Sequence, residues 1–159
     1  MKTGSFDVSD FALATAAPQV VPFLLSAALA ESQWGVLIAE TDGTIRYANP
    51  RLSEITGYDE SELLGNNPRM LQSGLTSRET YQEMWHTLSC GRPWRGTLRN
   101  KRKSGELYWE SLTVIPVKDA RGGISNFVGI VEDVTRLQLC AAEAERVNRE
   151  IVLEERLGS

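Results

Sequence analysis

From Gly35 to Val131 the chain switches from β-type to helical text and back, and that order restricts the folds open to it. Gly35-Val36-Leu37-Ile38-Ala39-Glu40 and Thr44-Ile45-Arg46-Tyr47-Ala48 flank Thr41-Asp42-Gly43. Two short apolar runs around Asp-Gly are a strong hairpin signal. Helical text follows. Asn49-Pro50 opens a helix with Leu52 and Ile55 facing inward and Gly57 closing it. Asp59-Glu60-Ser61-Glu62 leads a one-turn helix to Leu64-Gly65, and Asn66 to Gln72 reads as a further short turn stopped by Ser73-Gly74. Thr76, with Glu79 three residues on, has the form of a capping box. The longer helix it would start carries Tyr81, Met84, Trp85 and Leu88 at helical spacing and ends near Gly91.

β text then returns in three runs. Arg92 to Lys101 places Trp94, Leu98 and Asn100 on one face. Glu106 to Val117 alternates after the Lys103-Ser104-Gly105 turn, and Ile124 to Val131 follows Arg121-Gly122-Gly123. Two strands, several short helices and three strands predict an α+β fold: a five-stranded antiparallel sheet with short helices on one face. At 159 residues this is one domain with a real core and no room for a second.

The ends read differently. Residues 1–17 form a lead-in, 18–33 an N-terminal helix, 34–136 the core and 137–159 a C-terminal linker helix. The apolar run Val20 to Ala30 is too short to span a bilayer. The segment before it carries Asp7 and Asp10 and no dense positive region, which argues against a signal peptide. In the tail, Leu137, Cys140, Ala144, Val147 and Ile151 keep a 3–4–3–4 spacing. That is a short coiled-coil-like seam, weakened by Ala and Cys and broken at Glu154, or else one face of an amphipathic helix lying on the domain. Both end helices point to a homodimer.

Composition excludes several function classes. A net charge of -4 argues against a nucleic-acid binder, and Arg99, Lys101, Arg102 and Lys103 read as a solvated hairpin end. Cys90, Cys140 and the single histidine, His86, make no metal-ligand spacing. Two lone thiols fit a reducing cytoplasm. No triad, metal cluster or phosphate loop supports an enzyme.

Several motifs in register carry a resemblance. Tyr47-Ala48-Asn49-Pro50, Ile55-Thr56-Gly57-Tyr58, Leu64 to Gln72, Arg92-Pro93-Trp94-Arg95-Gly96, Asn100 to Gly105 and Glu132-Asp133-Val134-Thr135 together resemble a PAS domain over about residues 20–136. The fold hosts many functions, so the ligand has to be argued from the pocket. Two flavin-binding branches are similar. The blue-light LOV branch carries Asn-Cys-Arg-Phe-Leu-Gln where this chain has Asn67-Pro68-Arg69-Met70-Leu71-Gln72. Pro68 stands in place of the photoactive cysteine, and proline has no sulfur to form the adduct. By the same resemblance Asn100 retains one ring-binding asparagine and Glu110 replaces the second. Val131 replaces the relaying glutamine, Arg69 matches one phosphate-binding arginine, and Trp85 takes the place of the other.

The other branch is the FAD-binding, redox-sensing PAS domain of NifL-type nitrogen-fixation regulators and related methane-oxidation sensor kinases. Its pattern sets a helical tryptophan fifteen positions before a strand asparagine, as Trp85 and Asn100 stand here. The resemblance therefore implies FAD ahead of FMN, and a redox- or oxygen-responsive sensor whose output passes through Asp133-Val134-Thr135. Heme is not expected, because the axial histidine of heme-binding PAS domains falls near Arg78, eight residues before His86.

Each candidate has a plainer alternative. Asn100 either bonds the polar edge of the ring or is satisfied by backbone and solvent. Trp85 is a flavin wall or core. Asn67 and Gln72 reach the ligand or cap short helices. Arg69 holds a phosphate or is simply exposed. Glu110 shares a face with Tyr108 and Leu112, and beside a flavin it would accept a proton on reduction. The alternative function is a cofactor-free PAS module used for dimerisation.

Overall fold

The computed structural model describes residues 20–157. Its sheet has five antiparallel strands: β1 (Gly35–Glu40), β2 (Ile45–Ala48), β3 (Trp94–Lys101), β4 (Leu107–Lys118) and β5 (Ile124–Asp133), in the order β2-β1-β5-β4-β3. β1 and β5, far apart in sequence, are neighbours within the sheet, so it closes only when its first and last strands meet. The registers Leu37↔Gly129, Leu112↔Val131, Leu98↔Glu110 and Asn100↔Tyr108 put these residues on one face. The intervening segment folds over that face as α2 (Pro50–Thr56), α3 (Glu60–Leu63), a 3-10 turn (Pro68–Leu71) and α4 (Arg78–Ser89). The opposite face carries half-buried Ile38, Ile115, Val128 and Ile130.

Asn49 ties the first half together. Its side chain is fully buried, and Oδ1 accepts from the N–H of Val36 (2.8 Å) and of Leu52 (3.0 Å). Nδ2 donates to the carbonyls of Leu29 (2.8 Å) and Trp34 (2.9 Å). One amide thus caps α2, fixes β1 and holds the end of α1 (Val20–Ala30). α2 then lies so close to β1 that a Cβ on Gly35 would sit 3.0 Å from Leu52 Cδ1.

The long helix starts one residue later than the capping-box reading. Ser77 is its N-cap and accepts from Thr80 N at 3.2 Å. Thr76 instead turns to the sheet, where its hydroxyl accepts from Arg99 N at 2.9 Å. The free edge of β3 outcompeted the helix for that oxygen. A reciprocal capping box forms instead at α3, between Asp59 and Glu62.

The core divides into two clusters. One gathers Leu37, Ile45, Leu52, Ile55, Leu63 and Tyr108; the other gathers Met84, Leu88, Trp94, Leu98 and Phe127. Leu112 packs against both. At the ends, Leu25 on α1 is exposed, and α5 (Thr135–Leu157) leaves the domain with Leu137, Val147 and Ile151 exposed. α5 therefore projects from the domain, and its amphipathic face does not lie on it.

Candidate functional site

A cavity opens between the two core clusters, walled by the sheet, the 3-10 turn and α4. Asn67, Arg69, Gln72, Trp85, Asn100 and Glu110, the residues singled out from the sequence, all line it. Pro68 lines it too, and neither cysteine does.

The polar end is built on the sheet. Tyr108 and Glu110 alternate inward on β4, and Asn100 stands opposite Tyr108 on β3. Glu110 is 3% exposed and accepts from the Tyr108 hydroxyl at 2.8 Å. Burial pushes its carboxyl above the ordinary range, and the nearby Asp133 charge adds to this; bonds from Tyr108 and Asn100 pull the other way. Burial likewise raises the Tyr108 hydroxyl, helped by Glu110. Tyr81 on α4 lines the same cavity, and its hydroxyl is also raised, first by burial.

Asn100 is 4% exposed, and its Oδ1 has no hydrogen-bond partner. An unpaired buried amide oxygen costs about 1–3 kcal/mol, so it calls for a donor from whatever enters the cavity. No protein group among the described residues satisfies it.

The mouth is made of looser parts. Trp85 is 43% exposed and meets Phe127 edge-on at 5.9 Å between ring centroids. It lies at the rim while Asn100 lies inside, so the paired spacing places the two residues on one cavity at different depths. Arg69 and Gln72 are exposed, and Arg69 makes no ion pair among the described residues. Asn67 is committed to the chain itself. Its Oδ1 accepts from Arg69 N at 3.0 Å, capping the 3-10 turn, and its Nδ2 donates to Asp42 O at 3.2 Å. This latch needs Gly43, with φ +88°, since a Cβ there would meet Asn67 Nδ2 at 2.4 Å. The cavity holds about 110 Å³. Small-molecule sites begin at roughly 300 Å³, so the cavity as it stands is smaller than a typical ligand site.

Tyr108 and Tyr81 were not among the sequence candidates. The period-two alternation with Glu110 was the available signal for Tyr108; Tyr81 read as an ordinary apolar position of an amphipathic helix.

A PAS domain family model matches residues 34–136. The chain belongs to the PAS domain family. A nitrogen fixation regulatory protein of Klebsiella oxytoca is 36% identical over 124 residues, which are 78% of this chain and 25% of that protein. A blue-light-activated histidine kinase of Brucella canis is 31% identical over 113 residues, 71% of this chain and 23% of that one. This PAS domain thus spans about a quarter of the length of these relatives. The solved light-oxygen-voltage domain of "Flavin Analogue Sheds Light on Light-Oxygen-Voltage Domain Mechanism" superposes with a TM-score of 0.64 at 27% identity, over 82% of this chain and 96% of that one. PAS-containing regulatory proteins and light-oxygen-voltage domains are therefore the relatives of this fold.

Proposed function

We propose that this PAS domain binds a flavin in the cavity, FAD ahead of FMN, and senses redox state or oxygen in the cytoplasm. The observation that carries this is the unpaired, buried Asn100 Oδ1 inside a cavity lined by every candidate residue. The donor set fits a flavin edge. Asn100 offers an acceptor, and the Glu110 carboxyl, pushed by burial above the ordinary range, can donate or accept beside it. A bound flavin would supply reversible electron uptake. The chain's own part is to orient the ring by Asn100, to hold a proton at Glu110, and to line the mouth with the Trp85 indole and the Arg69 guanidinium. The aromatic rim suits the extended dinucleotide, and an arginine there suits either phosphate. Signal would pass into α5 and its dimer partner, since α1 and α5 both present uncovered apolar residues.

An absorption spectrum of the purified protein, then heat release and chromatography, tests the reading. A blue-region band that bleaches with dithionite and returns in air, with FAD in the extract, supports it. A colourless protein that refuses added FAD and FMN overturns it and leaves a cofactor-free dimerisation module, which the exposed apolar helices also fit.

Asn100→Ala separates ligand binding from folding. It is expected to weaken FAD binding at least about tenfold, the loss of one good hydrogen bond. The ligand-free domain should lose little stability, because removal of the unpaired buried oxygen offsets part of the lost bond to Glu110. FAD titration and urea unfolding of the same preparation measure the two effects. Equal affinity in the variant would remove Asn100 from the site.

A further inference from the structure

Glu110 and Asp133 stand directly opposite each other in the β4–β5 register. Side chains so placed have Cβ atoms about 4.5–5.5 Å apart, and like charges there repel. One carboxyl belongs to the cavity. The other starts α5: Asp133 Oδ1 accepts from the Thr135 N–H at 3.0 Å and hydroxyl at 2.6 Å.

Arg102 sits between the two systems. Its Nη2 donates to Asp133 Oδ2 at 2.6 Å, and its guanidinium lies 4.5 Å over the Tyr108 ring, whose hydroxyl bonds Glu110. It also pairs with Glu106 at 3.1 Å and donates to the Ile55 carbonyl. This part-buried arginine is thus shared between Asp133, Glu106, the Ile55 carbonyl and the Tyr108 ring.

We infer that Glu110, Arg102 and Asp133 form one electrostatic unit, in which the charge on the cavity carboxyl is read at the first turn of α5 and Arg102 is the positioning residue. This gives the proposed sensory reading its route from cavity to helix and rests on that reading for its biological use. The physics is a competition. With Glu110 neutral, Arg102 answers Asp133 and the exposed Glu106. A negative charge on Glu110 adds repulsion across the ladder, draws Arg102 towards Tyr108, and loosens the clamp on Thr135. The groups that bear on Glu110 are Tyr108 on its own strand, Asn100 on β3, Tyr81 on α4 and Asp133 on β5. Asp133 is the carboxylate among them. Against its own burial, bonds from Thr135 and Arg102 hold it below the usual range, so it stays charged. Coupling of this kind is reciprocal: changing Asp133 must shift the proton on Glu110.

Carbon-13 NMR titration of the side-chain carboxyls in the full chain, with no flavin added, tests this. Arg102→Met unmasks Asp133 and is expected to raise the Glu110 midpoint by about one pH unit. Asp133→Asn, which keeps a capping oxygen, should lower it, and the double variant should fall between the two single variants. Arg102→Lys keeps the charge and should stay near wild type, which covers the case of an Arg102→Met chain that folds poorly. The helix end is read by hydrogen exchange at the Gln138 amide, which donates to Val134 O. Above the Glu110 midpoint, Glu110→Gln should protect that amide about threefold more than wild type, the size of a helix-terminus charge effect. In the Arg102→Met background the difference should vanish. Indistinguishable Glu110 midpoints across the set would overturn the unit, as would a Gln138 difference that survives without Arg102. Refusal of added FAD would instead overturn the proposed ligand and leave these readouts intact.

Discussion

Asn49→Ala is expected to lower the unfolding free energy by about 3 kcal/mol, the largest loss from any single polar side chain here. The substitution removes a fully buried amide that makes four hydrogen bonds with α1, β1 and α2. Leu52 N keeps a second partner in the Asn49 carbonyl, so its loss is modest. Val36 N–H has no such substitute and is left unpaired inside the fold. Loss of a helix cap alone costs about 1 kcal/mol, and an orphaned buried donor adds about 1–3. Urea unfolding with an unchanged slope measures the sum. Asn49→Asp retains the acceptor oxygen and loses both donors, so it reports the Leu29 and Trp34 bonds separately. A loss well under the cost of a single cap would show that water replaces the amide, and that this junction is open.

Glu110→Gln is expected to stabilise the domain near neutral pH and to flatten part of its pH dependence. In the unfolded chain Glu110 ionises near its ordinary value of 4.5, whereas in the fold burial, against the Tyr108 and Asn100 bonds, keeps the proton on to higher pH. Between those two values the unfolded state binds fewer protons, so stability falls as pH rises. The group's contribution is fully present below 4.5 and is lost once pH passes the folded value. The maximum slope is about 1.4 kcal/mol per pH unit. Glutamine cannot ionise, and its carbonyl still accepts from Tyr108. The stability difference between variant and wild type should therefore widen with pH from the acid side and then level off. Parallel curves for the two proteins would show that Glu110 carries its charge inside the fold and would remove the proton-holding role proposed for it.

The candidate site was legible to unequal depth. Alternation along β4 put Glu110 on the face of Tyr108 and Leu112, because a strand's period leaves only two choices. The resemblance to the NifL-type pattern brought Trp85 and Asn100 together as a pair. It did not show that the tryptophan forms the rim while the asparagine lies buried with a free oxygen, since depth depends on how α4 tilts over the sheet. Thr76 and Ser77 show the same limit at short range. Both are capping residues by type, and the choice fell to Ser77 because Arg99, remote in sequence, claimed Thr76. Asn67 satisfied the capping alternative, and its other amide group is taken by Asp42 across the mouth.

The sequence by itself determined the element types, their order and the α+β class, because period, turn glycines and caps act over a few residues. It also determined which side chains share a face. Only the tertiary structure decided what those faces meet. The central β1–β5 pairing, the split of the core around a cavity, the fourfold use of Asn49 and the Glu110–Asp133 opposition join residues far apart in the chain. Contacts of that kind are fixed by how the whole chain closes, and no local pattern records them.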